Sequence, residues 1–77
     1  VNICKTLGEN IRSIRERTSM TQEKLALKAD IDRPYLSFIE QGKRNPSIVI
    51  VGQIADALGV TPAELLKPNA QSNLPKK

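Results

Sequence analysis

The chain contains no histidine and only one cysteine, Cys4. Without histidine there is no imidazole to act as a general base, to activate a nucleophile or to hold a metal, and one thiol cannot build a disulfide framework or a zinc site of the Cys/His kind. No metal and no cofactor are expected. Carboxylates paired for a catalytic cleft and a glycine loop shaped to cradle phosphate are missing too, so an enzyme is the least favoured class. No apolar run approaches the roughly 18 residues that span a bilayer, and no charged-then-apolar leader opens the chain. A lone thiol suits a reducing compartment. The expectation is a soluble, cytoplasmic protein with no membrane partner. At 77 residues it is one domain at most, small enough for its stability to gain from a partner subunit.

What is present is positive charge, unevenly spread. The net charge is +4. Residues 5–44 carry nine basic side chains against six acidic ones, whereas 47–66 carry only Asp56 and Glu64 and no basic residue. Lys67, Lys76 and Lys77 follow. The first two-thirds can face a polyanion and the segment after it cannot. Charge excess alone is weak evidence, and spacing decides.

Caps, stops and periodicity define five helical segments. The first is expected to start at Thr6, where Thr6-Leu7-Gly8-Glu9 reads as a capping box, with Leu7, Ile11 and Ile14 in helical phase and an end near Thr18-Ser19. The second is capped by Thr21 and turns Leu25, Ala26 and Ala29 inward. The third, after a short turn, is capped by Asp32, carries Pro34 in its first turn and stops at Gly42. The run Ile48-Val49-Ile50-Val51 is β-branched throughout and locally favours a strand. The wider pattern favours a helix, with Pro46-Ser47 as its start, Ile48, Val51, Ile54, Ala55 and Leu58 inward, and Gly59 as its stop. A last short helix opens on the capping box Thr61-Pro62-Ala63-Glu64 and ends at Pro68. Residues 1–68 form the domain; 69–77 are polar, without periodicity, and are expected to be a disordered tail or the stub of a linker.

A helix-turn-helix needs a small residue in its first helix, so that the second can cross closely, and apolar residues on the inner face of the second. Ala26 is that small residue, Asp30 follows four later at the turn, and Leu36 and Ile39 fall ten and thirteen after Ala26. These offsets, with caps on both helices, place a helix-turn-helix at the second and third helices.

The runs Thr21-Gln22-Glu23-Lys24-Leu25-Ala26, Tyr35 through Ser47 and Ala57-Leu58-Gly59-Val60 resemble the lambda-repressor and Cro-like (XRE) family over roughly residues 7–66. The resemblance implies an all-α, five-helix DNA-binding domain, usually dimeric, in a transcriptional regulator. Phage repressors, antitoxins and restriction–modification controllers share the pattern; the chain length, Asp32-Arg33 and the loop Lys43-Arg44-Asn45 look most like the controllers. The family usually has glycine where this chain has Asp30, a turn position that tends to need positive φ. Aspartate tolerates that geometry at a cost of about 1 kcal/mol. The resemblance also implies that Arg15 and Glu40 form an ion pair tying the first helix to the third, and that Gln22 approaches a phosphate, as its place at a helix N-terminus also allows.

With Leu36 and Ile39 inward at 100° per residue, Arg33, Pro34, Ser37 and Phe38 are left to face a major groove. Arg33 can pair with guanine O6 and N7. Ser37 can meet a base or a phosphate, and Pro34 makes apolar contact only. Phe38 is either tucked under a neighbouring loop or set to meet a thymine methyl. Lys43, Arg44 and Asn45 can grip the adjacent backbone, which would make binding salt-sensitive. Val49, Ile50, Val60, Leu65 and Leu66, on the stretch without basic charge, form a candidate homodimer interface or else thicken the core. The expected partner is a partly palindromic double-stranded operator. A toxin, if the chain is an antitoxin acting through its tail, or RNA polymerase is a further candidate partner.

Overall fold

The computed structural model describes residues 2–68, which form five helices: α1 (Ile3–Arg17), α2 (Gln22–Ala29), α3 (Arg33–Glu40), α4 (Ile48–Leu58) and α5 (Pro62–Leu66). The expected tail, 69–77, lies outside the described residues. No strand occurs among those described, and the β-branched run is helical. Ser47 decides this locally by accepting the Ile50 N–H on its hydroxyl at 3.2 Å, which satisfies a donor that only a helix start presents.

The first helix starts earlier than its capping box implied. Asn2 accepts the Lys5 N–H on its side-chain oxygen at 3.1 Å, and the Thr6 N–H already bonds the Asn2 carbonyl at 3.0 Å. Thr6 therefore lies inside α1 with no free turn to cap. Thr21 caps α2 as expected, through the Lys24 N–H at 3.0 Å. The box at α5 closes in both directions between Thr61 and Glu64. Asp32 holds the cap position of α3 but makes no side-chain capping bond.

Four of the helices end in one device. The residue that turns the chain is left-handed, at Ser19 (φ 59°), Asp30 (φ 61°), Gly42 (φ 77°) and Gly59 (φ 76°). In each case the following N–H reaches back five residues: Met20 to Arg15 O, Ile31 to Ala26 O, Lys43 to Phe38 O and Val60 to Ala55 O, all between 2.9 and 3.1 Å. These are Schellman endings. They reverse the chain within two residues and keep the connections short.

α1 packs on α3 and α5, and α2 packs on α4 and α3. Their shared core includes Ile11, Leu25, Leu36, Ile39, Ile54 and Leu65, all fully buried. Gln53 of α4 donates to the last carbonyl of α2, Ala29 O, at 2.7 Å, which locks that pair. Two close contacts of α1 fix the rest. A Cβ on Gly8 would stand 2.5 Å from the Glu40 carbonyl oxygen and closer still to that of Ile39, so only glycine lets the end of α3 lie on α1. Buried Asn10 donates its amide to the carbonyls of Leu65 (2.9 Å) and Lys67 (2.6 Å), which clamps the end of α5.

Two expectations fail in this packing. Ile48, expected inward, is 85% exposed. It is the first residue of α4, and Pro46 just before the cap is the residue buried at that end, while Ile50 packs against the core. Leu65, expected at a dimer interface, is fully buried within the monomer and has no surface to offer.

Candidate nucleic-acid interface

The turn between α2 and α3 brings α3 across α2 with its apolar side down. Ala26 is buried at 3% exposure in the core that α2 shares with α3. Asp30 adopts the left-handed geometry that the turn requires (φ 61°, ψ 45°). Leu36 and Ile39 are buried, and Arg33, Pro34 and Phe38 are exposed, with Ser37 half-buried. The outward face of α3 is thus the one that the helical phase predicts.

Four side chains link the scaffold to this face. Arg15 meets Glu40 in a two-pronged pair, Nε to Oε2 at 2.8 Å and Nη2 to Oε1 at 3.0 Å, and its Nη1 donates to the Met20 carbonyl at 2.9 Å. The hydrogen bond to Glu40 is the main cause of a raised Arg15 pKa, against the opposing effect of burial. Gln22 donates Nε2 to Glu40 Oε1 at 3.0 Å, and its own Oε1 accepts from Arg33 Nη1 at 3.3 Å. No buried side-chain nitrogen or oxygen among the described residues is left without a partner. The ion pair therefore has the geometry that the resemblance implied. Gln22, expected to approach a phosphate, joins Glu40 to Arg33 in the free protein.

Beyond α3 the Schellman turn at Gly42 is followed by Lys43, Arg44 and Asn45, all exposed; Arg44 lies by Phe38 on the outward face, whereas Asn45 lines an apolar groove with Ile3 and Leu66. Phe38 is 40% exposed, and the Arg44 guanidinium carbon lies 5.6 Å from the centre of its ring. Ser37 accepts a hydrogen bond from Gln41 Nε2 at 3.1 Å. Of the expected interface residues, Val49 and Leu66 are exposed, whereas Ile50 and Val60 are half-buried against the core. Exposed Ile48 and Ile3 stand near Leu66 around an apolar groove of about 200 Å³. Among the described residues no group of three or more histidine, cysteine or acidic side chains could hold a metal. No helix among them is long and apolar enough to cross a membrane.

A capped helix, a left-handed turn and a second helix with a cationic outer face together make a helix-turn-helix reading head. The helix-turn-helix family model matches residues 11–65, and the chain belongs to that family. It is a DNA-binding transcription regulator of the XRE type and not an enzyme. The chain is 42% identical over 77 residues to the control protein C.BamHI of Bacillus amyloliquefaciens, spanning 99% of this chain and 95% of that one. It is also 42% identical over 55 residues to the immunity repressor of Bacillus phage phi105, which spans 71% of this chain and 38% of the repressor. Among solved structures it resembles the restriction-modification controller C.AhdI from Aeromonas hydrophila, with 35% identity and a TM-score of 0.78 over 80% of this chain and 94% of that one. It resembles equally C.Esp1396I bound to a 25 base pair operator site, with 35% identity and a TM-score of 0.75 over 82% of this chain and 83% of that one.

Proposed function

We propose that the chain is a controller-type regulator of a restriction–modification system, acting as a homodimer on a partly palindromic operator. The observation that carries the reading is the outer face of α3, where Arg33 stands exposed at the helix start and Arg44 follows the helix end. Arg33 reads a base edge, with Pro34 and Ser37 beside it. Gln22, Lys43, Arg44 and Asn45 meet phosphates on either side. The likeness to C.BamHI over nearly its full length supports the controller role, and the operator-bound C.Esp1396I supports the mode of binding.

One head of this size covers half a site, so affinity requires a second copy about one helical turn, roughly 34 Å, along the DNA. The exposed apolar side chains Ile48, Val49 and Leu66, on the stretch free of basic charge, suit a partner of the same kind. RNA polymerase becomes a protein partner if the bound dimer lies beside a promoter.

Selection from a random DNA pool, followed by footprinting on DNA upstream of the chain's own gene, tests this reading. Two inverted half-sites, occupied together by two copies, are expected both in the pool and in the footprint. Ile48→Lys should shift the protein to monomer in sedimentation without loss of helix, because Ile48 contributes almost nothing to the core. Enrichment of a single half-site by monomers, or an unprotected upstream region, overturns the proposal.

A further inference from the structure

We propose that Phe38 is a positioning residue whose ring holds the Arg44 guanidinium ready for a DNA phosphate, and that Phe38 does not itself read a base. The proposal rests on the phosphate-contacting role assigned above to the loop after α3.

The chain has a single phenylalanine and no tryptophan, and that phenylalanine stands on the solvent side of the reading helix. Burial does not explain it, since 40% of the residue remains exposed. The backbone explains its neighbour. Gly42 is left-handed, its N–H bonds Ile39 O at 3.0 Å, and the Lys43 N–H returns to the carbonyl of Phe38 itself at 2.9 Å. The chain therefore folds back over Phe38, and the next residue is Arg44, with its guanidinium carbon 5.6 Å from the ring centre.

Arg44 makes no hydrogen bond or ion pair among the described residues, and the Phe38 ring is its one partner there. This distinguishes it from Arg15, which is committed to Glu40, and from Arg33, which gives a donor to Gln22. An aromatic face attracts a guanidinium without using any of its five N–H donors. The side chain is thus restrained while its whole hydrogen-bonding capacity stays free for phosphate oxygens. A free arginine loses considerable rotamer freedom on binding, and a pre-restrained one loses less. At an exposed site such an attraction corresponds to about two- to fivefold in affinity.

The test is a double-mutant cycle on a duplex that the wild-type protein selects from a random pool. Phe38→Leu keeps an apolar side chain and removes the aromatic face; Phe38→Trp keeps the face. Phe38→Leu should weaken binding by about two- to fivefold. Phe38→Trp should restore it, and Phe38→Leu should have no further effect once Arg44→Ala is present. The Phe38 effect should also survive replacement of thymidine by deoxyuridine, which removes the methyl that a base-reading ring would meet. In the free protein, the ring-current shift of the Arg44 side-chain protons should be seen in wild type and Phe38→Trp and vanish in Phe38→Leu. A Phe38→Leu penalty that persists in Arg44→Ala, or that disappears on the deoxyuridine duplex, overturns the proposal in favour of base reading. If the wild-type protein selects no duplex at all, the DNA-binding assignment of the loop fails first and the proposal with it.

Discussion

Gln22 faces Arg33 with its oxygen, accepting from the guanidinium at 3.3 Å, because Glu40 has already taken its amide nitrogen at 3.0 Å. A carboxylate paired with Arg15 can only accept, so the orientation of the Gln22 amide is set from the interior of the protein. Arg33 is held by an acceptor that cannot flip without losing a bond. Arg33→Ala should weaken operator binding by about 1–3 kcal/mol and relax preference at one base position, with unchanged helical content. With Gln22 at a phosphate as proposed, Gln22→Ala should weaken binding to every sequence, and the loss of the Arg33 acceptor should add only a smaller loss of preference at that base position. Selection from a random pool with each variant separates the two outcomes.

Glu40 serves three donors from two side chains and is 8% exposed. Removing Glu40 leaves the partly buried Arg15 guanidinium and the Gln22 amide without their acceptor, a loss of about 1–3 kcal/mol. Glu40→Ala should lower thermal stability accordingly, and the Arg15→Ala/Glu40→Ala double variant should lose less than the sum of the single ones. The raised pKa of Arg15 means that its stabilising effect is complete below the ordinary guanidinium range and fades only above it. Melting across the neutral range should therefore show no step from Arg15.

Gly8→Ala opposes two effects. Alanine favours an isolated helix over glycine by about 1 kcal/mol. Here its methyl would drive into the carbonyl oxygens of Ile39 and Glu40, which are backbone atoms and cannot swing away. The clash should win, with net destabilisation of about 2 kcal/mol or more. Denaturant unfolding measures it, and a stabilised variant would mean that α1 and α3 can separate at no loss.

Asp30→Gly should act in the opposite direction. The residue is left-handed at φ 61° and exposed, and left-handed geometry costs an ordinary side chain about 1–2 kcal/mol, less for aspartate. Glycine relieves this strain at some entropic loss, for a net gain of about 0.5 kcal/mol and a melting temperature a few degrees higher. Asp30→Val should lower it.

Local signals were legible where the partners lie close in sequence. Thr21 and Thr61 cap as read, Gly42 and Gly59 stop helices as read, and Leu36 and Ile39 define the inner face of α3. The same locality misled at Thr6, because a hydroxyl followed by a carboxylate also occurs inside a helix that Asn2 has already capped. It misled at Ile48 because periodicity says which side a residue lies on, but not whether the neighbouring helices extend far enough to cover it. Asn10 gave no signal: its partners are backbone carbonyls more than fifty positions away, and every residue carries one. Gln22 and Glu40 were each singled out, but the bond between them spans two helices, and only the folded chain brings them together.

The Asn10 clamp has a consequence for synthesis. The residue that orders the end of α5 is in place early in α1, and the carbonyls that satisfy it, Leu65 and Lys67, are made more than fifty residues later. A nascent chain that has emerged through α4 still carries an amide without its partners and a core without Leu65, which is fully buried in the finished domain. Folding of this head therefore completes only once Lys67 has been made and released from the ribosome, and a ribosome stalled before Lys67 holds a head that has not closed.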